Sequence, residues 1–385
     1  MKIYINRFNL FFIITYFIWT LYLYLIYFAS NYIKGGNFRN GFKLGNDSPR
    51  YIDAAKDILQ FNIPEGKALS YLSYDLFVAI ALLFRDNLLD VVIFQIILTA
   101  ISAFCLYKIT KTLFDTSIGI ISFSIFLFYP DIQIRNFYIL TESLIISIPI
   151  ISIYLIINKK KYIAFLGYSL LLFSCFIRPH AIVIFPVLML LLYFDFKNSG
   201  SKLLINLFYI TNIIFIPIIF IIANYLLTKE GALLRLISGQ IIGEYEGLKI
   251  DGVPKLYDNK FENLIEIIFI IFKYPIFFIK VFLMKFFWFF ARIRPYYSDF
   301  HNLIIIITTL PIYITFVFGL FTKTNNHKLK ISLLFYIFLI TISVCMIQVD
   351  WSGRFLLPII PIIIIFSSSG FLYLYKIFQK IIHSN

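Results

Sequence analysis

Six ionisable side chains in this sequence lie in short polar segments between long apolar runs, and they are the strongest candidates for chemistry. They are Asp47, Glu142, Arg178, His180, Asp350 and Arg354. A carboxylate can act as a general base, and a guanidinium group binds anions such as phosphate in a fork geometry. Each charge taken singly is also consistent with an anchor at a membrane interface. Ionisable groups at the ends of apolar spans nevertheless indicate a functional site.

Asp47 has the most informative context. Ser48 followed by Pro49 is typical of a helix start, with proline at the first helical position. The residues that follow predict a short amphipathic helix on the membrane surface, with an apolar face made of Ile52, Ala55, Ile58 and Leu59. Either Asp47 or Ser48 then simply caps this helix, or Asp47 presents a general base at the membrane surface.

The composition decides what kind of protein carries these residues. The chain has 385 residues, of which 61% are hydrophobic and only 14% are charged. An average soluble domain is about 45–50% apolar and about 25% charged. Together with the long apolar runs, these values indicate an integral membrane protein. They exclude a soluble enzyme, a secreted disulfide scaffold and a disordered chain.

Ten apolar segments predict membrane spans of about 15 to 25 residues. They are 8–30, 88–107, 114–130, 143–157, 163–177, 180–194, 203–226, 303–321, 331–349 and 355–375. Two further stretches, 69–84 and 264–291, carry polar or charged residues and either cross the membrane or lie in its interface. The predicted fold is therefore an all-α, polytopic helical bundle of about 10–12 transmembrane helices. Amphipathic juxtamembrane helices are expected in its first outer loop and in its large later outer loop.

The distribution of lysines orients this bundle. The net charge is +14, and it concentrates in loops such as Lys159–Lys161 that become cytosolic when the two doubtful stretches do not cross. The net charge is thus an orientation signal, and no nucleic-acid partner is expected. The same orientation places the six candidate residues together on the extracytoplasmic side, although they were not used to choose it.

The order of the motifs resembles the GT-C superfamily of polytopic membrane glycosyltransferases. Gly45-Asn46-Asp47-Ser48 follows the first span, Thr141-Glu142-Ser143-Leu144 opens a span after Pro130, and Arg178 closes a later one. Gly353-Arg354-Phe355 then precedes the last span. The chain is similar to the protein mannosyltransferase and aminoarabinose transferase type, family 39. That family often has a second acid near the first one, and Asp47-Ser48 lacks an adjacent carboxylate.

The resemblance implies transfer of a sugar from a polyprenyl-phosphate donor to an extracytoplasmic hydroxyl or amine of a glycan, lipid or protein. Asp47 would be the catalytic base. Substrate binding would fall to Glu142, Arg178, His180, Arg354, Arg50 and Tyr51. Arg178 and Arg354, ahead of Arg50 and His180, would stabilise the leaving phosphate. The protein would be a multi-pass protein of a bacterial inner membrane, in contact with membrane lipid and engaged in envelope polysaccharide biosynthesis.

The predicted topology, together with this resemblance, suggests three regions. Residues 1–226 would form the GT-C-like transmembrane module with its catalytic first outer loop at 31–87. Residues 227–302 would form the large outer loop with an interfacial helix, and 303–385 the C-terminal transmembrane helices.

Cofactors and alternatives follow from the same residues. The cysteines and histidines show no metal-ligand spacing, so no obligatory cofactor or protein-held metal is expected. Asp47, Glu142 and Asp350 could in principle bind a divalent cation through their carboxylate oxygens. An O-antigen polymerase or ligase type of enzyme shares the lipid-linked donor and the helical bundle, and it stays an alternative. A lipid or sugar transporter is a further alternative, although it would place its charges in the middle of spans.

Overall fold

The apolar runs fold as α-helices, the form in which an apolar segment satisfies its backbone hydrogen bonds internally. The computed structural model describes residues 7–32, 38–39, 42–158, 160–200, 238–243, 245–251 and 264–384, with isolated positions between 202 and 224. Within these residues the named strands are a two-residue antiparallel pair, β1 (Phe38–Arg39) and β2 (Phe42–Lys43). The prediction of an all-α membrane protein is confirmed at this level.

The first half of the chain contributes nine helices within the described residues. They are α1 (Arg7–Tyr32), α2 (Ser48–Leu59), α3 (Leu72–Arg85), α4 (Leu88–Leu113), α5 (Thr116–Phe128), α6 (Pro130–Arg135), α7 (Glu142–Ile156), α8 (Lys161–Ser174) and α9 (Ile184–Ser199). Short 3₁₀ turns, Gly66–Tyr71 and Pro179–Val183, lead into α3 and α9.

The second half contributes five more helices within the described residues. They are α10 (Leu264–Lys273), α11 (Pro275–Ala291), α12 (Asp299–Leu320), α13 (His327–Ile347) and α14 (Ile360–Ser384). The 3₁₀ turn Arg354–Ile359 leads into α14. The predicted span at 203–226 lies outside the continuously described residues.

Seven stretches of the described chain are long and apolar enough to cross a membrane, judged by length and composition. They are Leu10–Tyr27, Ala68–Arg85, Leu88–Leu113, Pro179–Asn198, Asp299–Leu320, His327–Ile347 and Arg354–His383. Three shorter apolar helices, α5, α7 and α8, correspond to further predicted spans. The stretch at 69–84 is thus a helix with the length and composition of a span. The chain is a multi-pass membrane protein by these criteria.

Two compact units divide the chain. The first comprises Met1–Ile182, Tyr313–Asn326 and Ile360–Asn385, and the second comprises Val183–Ile312 and His327–Ile359. The last apolar helix therefore belongs to the same unit as the N-terminal helices. The three predicted regions divide the chain in sequence order by membrane topology. The two compact units divide it by packing contacts, so they do not test those regions.

The first unit is held together by close helix packing. Helix α7 packs against α4 and α8, and α5 packs against α4 and α14. Small residues permit the contacts: a Cβ atom on Gly167 would lie 2.8 Å from the Ile156 backbone nitrogen, and one on Gly119 would lie 2.9 Å from the Tyr107 ring. Such small residues let helix backbones approach each other in membranes.

The second unit has its own core. Helix α13 packs against α9 and α11, and the 3₁₀ turn Arg354–Ile359 packs against α11 and α13. Ile241, Ile242 and Val281 form a buried apolar cluster. A backbone bridge joins Ile242 to Val349, so the segment after α13 is tied to this cluster.

Candidate functional site

The start of α2 presents Asp47 without using it as a cap. Ser48 and Pro49 begin the helix as predicted. The Ser48 hydroxyl donates to the Ile139 carbonyl oxygen at 2.7 Å and accepts from the Gly45 amide at 2.8 Å. Asp47 occupies the N-cap position, yet its side chain makes no capping hydrogen bond. The alternative in which Asp47 caps α2 is therefore wrong, and its side chain is 36% exposed.

Backbone pairing brings this loop to the start of α7. The Lys43 amide donates to the Phe137 carbonyl at 2.8 Å, and the Ile139 amide donates to the Lys43 carbonyl at 3.1 Å. Together with the Ser48 hydrogen bond, these contacts fix the segment that carries Asp47 beside the segment that leads to Glu142. Two motifs far apart in the sequence thus share one place in the first unit.

The buried face of α2 differs from the predicted one in part. Ala55 is fully buried as expected, whereas Ile52, Ile58 and Leu59 are only half-buried. Tyr51 joins Ala55 on the buried face and is 3% exposed. Helical spacing accounts for this, because residues three and four apart share one face. The Tyr51 ring is therefore buried on the face of α2 for which the sequence pattern predicted aliphatic side chains.

Arg50 is held by two tyrosine rings. Its guanidinium carbon lies 4.3 Å from the ring centre of Tyr71 and 4.9 Å from that of Tyr51. The Tyr51 ring also contacts Tyr71 at 5.3 Å and Tyr74 at 4.9 Å. Cation–π contacts of this kind orient a guanidinium while leaving its N–H groups available. The Nε and Nη2 atoms are buried without a hydrogen-bond partner among the described residues.

Asp47 and Arg50 form an ion pair on the first turn of α2. The distance between Asp47 Oδ1 and Arg50 Nη2 is 3.6 Å, and both side chains are partly exposed. Burial opposes the charge on Arg50, but Tyr51, Tyr71 and Asp47 outweigh it, so the pKa of Arg50 rises. An exposed pair of this length adds little stability, about 0–1 kcal/mol. The ion pair does, however, keep the Asp47 carboxylate next to the Arg50 guanidinium.

Glu142 and Arg178 form a buried ion pair below this surface. Arg178 Nη2 lies 3.1 Å from Glu142 Oε1, and both side chains are at least 97% buried. Arg178 also donates from Nε to the Thr141 hydroxyl at 3.1 Å, and from Nη2 to the same oxygen. A buried pair is tolerated when further hydrogen bonds satisfy the charges. Arg178 therefore joins the end of α8 to the start of α7.

Burial raises the pKa of the Tyr51 hydroxyl, and Tyr71, Glu142 and Asp47 raise it further. His180 lies half-buried in the turn Pro179–Val183, next to Arg178 in the chain. Five predicted site residues of the first unit, together with His180, thus lie on segments that pack together.

Asp75 is the residue that the sequence reasoning missed. Its charge served as an argument that 69–84 does not cross the membrane. In the structure, Asp75 is completely buried, on a helix that packs against α2. Both of its carboxylate oxygens lack a hydrogen-bond partner in the described part of the chain, and Arg50 acts on it electrostatically. An acid inside an otherwise apolar helix was the available signal.

Helix α3 packs against α4. The Tyr74 hydroxyl donates to Gln95 Oε1 at 3.4 Å, and the Phe84 ring lies 5.2 Å from that of Phe94. The start of α3 is also tied to α8, because the Ser73 hydroxyl donates to the Phe173 carbonyl at 2.6 Å.

A buried polar network supports α4, α6 and α7 beside these contacts. Asn136 accepts from the hydroxyls of Thr99 at 2.7 Å and Ser143 at 2.8 Å. Gln95 donates to the Asn136 carbonyl at 2.9 Å, and Trp19 donates to Gln133 at 3.0 Å. Buried networks whose members are satisfied specify one packing arrangement. This one sets where α7, and hence Glu142, begins.

The outer side of α2 borders an open cleft of about 500 Å³. Its lining comprises Asn46, Pro49, Arg50, Asp53, Ala54, Asp57, Pro64, Glu65 and Ala68. Arg50 is common to the cleft and to the tyrosine cluster. A molecule in the cleft would therefore meet the guanidinium before it met the buried acids.

Arg354 belongs to the second unit and has a partner there. Its Nε donates to Asp350 Oδ1 at 3.1 Å. Asp350 Oδ2 accepts from the Ser352 amide at 2.8 Å, which closes the turn. Arg294, which is 1% exposed, donates to the carbonyls of Asp350 at 2.8 Å and Trp351 at 3.1 Å. Burial lowers the pKa of Arg294. The Asp350–Arg354 motif is thus a hydrogen-bonded turn.

No group of three or more His, Cys, Asp or Glu side chains that could hold a metal ion occurs among the residues that the structure describes. Comparisons with protein-family models, curated proteins and solved structures find no match to this chain.

Proposed function

We propose that this protein is a membrane glycosyltransferase that moves a sugar from a polyprenyl-phosphate carrier to an acceptor hydroxyl or amine. The proposal rests on one observation. Asp47 is a partly exposed carboxylate that does not cap its helix, and it lies 3.6 Å from Arg50, which two tyrosine rings hold in place. An acid and a guanidinium in contact are what this transfer requires, and the motif order resembles the GT-C superfamily.

Asp47 is the proposed general base. The acceptor oxygen forms a bond to the anomeric carbon, and its proton passes to the Asp47 carboxylate. The bond from that carbon to the phosphate oxygen breaks, and its electron pair leaves with the phosphate. The sugar passes through an oxocarbenium-like state, as in other glycosyl transfers. A phosphate leaves without protonation, so the step needs no separate acid.

Arg50 is the proposed partner of the leaving phosphate. Its Nε lacks a hydrogen-bond partner among the described residues, its Nη2 lies 3.6 Å from Asp47, and it borders the open cleft. A guanidinium fixed before the reaction stabilises developing negative charge without having to reorganise. The sequence reasoning put more weight on Arg178 and Arg354, but their ion pairs with Glu142 and Asp350 favour positioning roles. His180 and Tyr51 remain proposed contacts of the substrate.

The lysine distribution bears on the face of the membrane where this would occur, because it favours an interfacial position for 69–84 over a crossing. We place the site on the extracytoplasmic face of a bacterial inner membrane, within a bundle of about 10–12 spans. The acceptor would be a glycan, lipid or protein of the cell envelope. A divalent cation is not part of the proposed step.

The test compares wild type and Asp47→Asn in membrane vesicles supplied with radiolabelled sugars on undecaprenyl phosphate. Because a positioned base contributes about 10²–10⁴-fold, we expect Asp47→Asn to lose at least about 100-fold of the transfer rate. Asp86→Asn removes an exposed acid from the C-terminal end of α3 and should leave the rate unchanged. Equal transfer by wild type and Asp47→Asn would remove Asp47 as the base. Absence of transfer by the wild type from every donor would refute the proposed function.

A further inference from the structure

Helix α2 ends in a motif that usually contains glycine. The Phe61 amide donates to the Ile58 carbonyl at 3.0 Å, and the Asn62 amide donates to the Asp57 carbonyl at 2.9 Å. These are the two hydrogen bonds of a Schellman motif, in which the residue after the helix cap has a left-handed backbone. Phe61 is that residue, with a φ of 61°. Glycine is usual here because a Cβ atom makes the left-handed conformation unfavourable.

Packing within the described chain does not explain why a phenylalanine stands at this strained position. The Phe61 side chain is 96% exposed, the highest value among the large apolar side chains that the structure describes, and Ile63 is 81% exposed. The next residue, Pro64, is buried, so the chain turns back toward the protein directly after them. Exposure of large apolar side chains to water is unfavourable. Strain and exposure together therefore point to an apolar environment outside the chain.

The loop that carries these two side chains leads into a membrane-facing stretch. Ala68–Arg85 begins a few residues after Ile63 and has the length and apolarity of a span. Leu69 at its start and Leu83 and Phe84 near its end are exposed. In a multi-pass membrane protein such side chains face lipid. The loop thus lies near the membrane surface whether Ala68–Arg85 crosses the bilayer or lies in its interface.

We propose that Phe61 and Ile63 insert into the phospholipid bilayer at the boundary between headgroups and acyl chains. Aromatic and aliphatic side chains anchor peripheral elements at this depth. Asn62, which is polar and exposed between them, stays with the headgroups and water. The sequence pattern assigned the membrane contact to the aliphatic face of α2. Because Tyr51 and Ala55 are buried inside the protein, the contact passes to the loop at the end of the helix.

This anchor fixes the position of the cleft beside α2. The loop joins two residues of the cleft lining, Asp57 and Pro64, and Ala68 belongs both to the lining and to the span-like stretch. Insertion of the loop would therefore hold the cleft at the level of the lipid headgroups. A molecule attached to a lipid would reach the cleft without leaving the bilayer. The proposed lipid contact does not depend on the proposed transfer reaction, and its test needs no sugar donor.

The test measures the surroundings of single fluorophores on the full chain in phosphatidylcholine vesicles. The three native cysteines are buried, so a thiol-reactive fluorophore marks the introduced cysteine in Phe61→Cys, Ile63→Cys and Asp53→Cys. Asp53 is the matched control, because it is exposed on the same helix and lines the open cleft. Two quenchers are compared: lipids that carry a nitroxide on the acyl chain, and iodide present on both sides of the membrane.

Lipid nitroxide should quench the fluorophore in Phe61→Cys and Ile63→Cys, whereas iodide should quench it in Asp53→Cys. Interfacial side chains lie about 5–10 Å inside the headgroup boundary. A nitroxide near the top of the acyl chain should therefore quench Phe61→Cys more than one near the chain end. Iodide quenching of Phe61→Cys and Ile63→Cys as strong as that of Asp53→Cys would overturn the proposal. Protection of Phe61→Cys from both quenchers would also overturn it, because protein would then cover this position.

Discussion

The contacts of Arg50 and Arg178 change which of the two is the better candidate to bind the leaving phosphate. Both are arginines near an acid, and their motifs favoured Arg178. In the structure, Arg178 is buried with Glu142 and Thr141, whereas Arg50 lies between two tyrosine rings beside an open cleft. A guanidinium that already satisfies a buried carboxylate has less to offer a substrate. At the scale of single residues, the ion-pair partner of an arginine thus decides whether that arginine can bind a substrate.

The buried pair should therefore be needed for stability. Glu142→Gln leaves Arg178 buried without its counter-charge, which costs about 3–5 kcal/mol. We expect a clear fall in the melting temperature of the purified protein. In the double variant Glu142→Leu with Arg178→Met, both charges are removed, and much of this loss should be recovered.

A double-mutant comparison checks the interpretation. If Glu142 and Arg178 act independently, the effects of the single variants Glu142→Leu and Arg178→Met will add in the double variant. Such additivity would show that the ion pair does not stabilise the contact between α7 and α8. Asp47→Asn serves as the control, because its partly exposed pair with Arg50 should contribute no more than about 1 kcal/mol.

At the scale of elements, small residues set how closely helices pack. In the first unit, the C-terminal half of α12 meets α14 through glycine, serine and threonine. Thr315 and Ser367 share a 2.6 Å hydrogen bond, as do Thr322 and Ser369. Hydroxyl contacts and small side chains stabilise helix pairs in membranes, where lipid supplies no hydrophobic drive. These small and polar residues lower the hydropathy of a span, so hydropathy alone does not reveal their role in packing.

Gly370 tests this packing. An added Cβ would overlap the Thr315 carbonyl oxygen, which belongs to a backbone that cannot move aside easily. Gly370→Ala should therefore lower the melting temperature and the yield of folded protein, by the roughly 1–3 kcal/mol typical of overpacking. Gly45→Ala is the matched control, because its methyl group would meet only the flexible side chain of Leu140. Unchanged melting of Gly370→Ala would contradict the close helix approach.

At the scale of the whole molecule, the path of the chain across the membrane depends on whether the stretch at 69–84 crosses it. Seven stretches of the described chain have the length and apolarity of spans, and Ala68–Arg85 is among them. The lysine distribution favours an interfacial position for this stretch instead. Moving it into the membrane would invert every loop between it and the stretch at 264–291.

Cysteine labelling distinguishes these two topologies. Asn62 and Lys323 are exposed and Asn158 is half-exposed, whereas the three native cysteines are buried and should leave the wild type unlabelled. We expect an impermeant thiol reagent added to intact cells to label Asn62→Cys, but not Asn158→Cys or Lys323→Cys. Both cytosolic positions should react after the membrane is permeabilised. Labelling of Asn158→Cys in intact cells would overturn the predicted orientation.

Much of this protein follows from local properties of its sequence. Apolar runs indicated the membrane and the helices, and Ser48-Pro49 indicated the start of α2. These signals are local because hydropathy and helix capping depend on neighbouring residues. The lysine distribution supports an orientation for the same reason. The motif order predicted a function, which stays a proposal.

Only the tertiary structure decided which charges meet. Arg178 binds Thr141 from 37 residues away, and backbone hydrogen bonds attach Lys43 in the first loop to the segment before α7. No local pattern encodes such pairs, because they depend on how separate segments pack. The sequence determined which residues are polar in an apolar chain; packing determined that Asp75, which interrupts an apolar run, is fully buried on a helix that packs against α2.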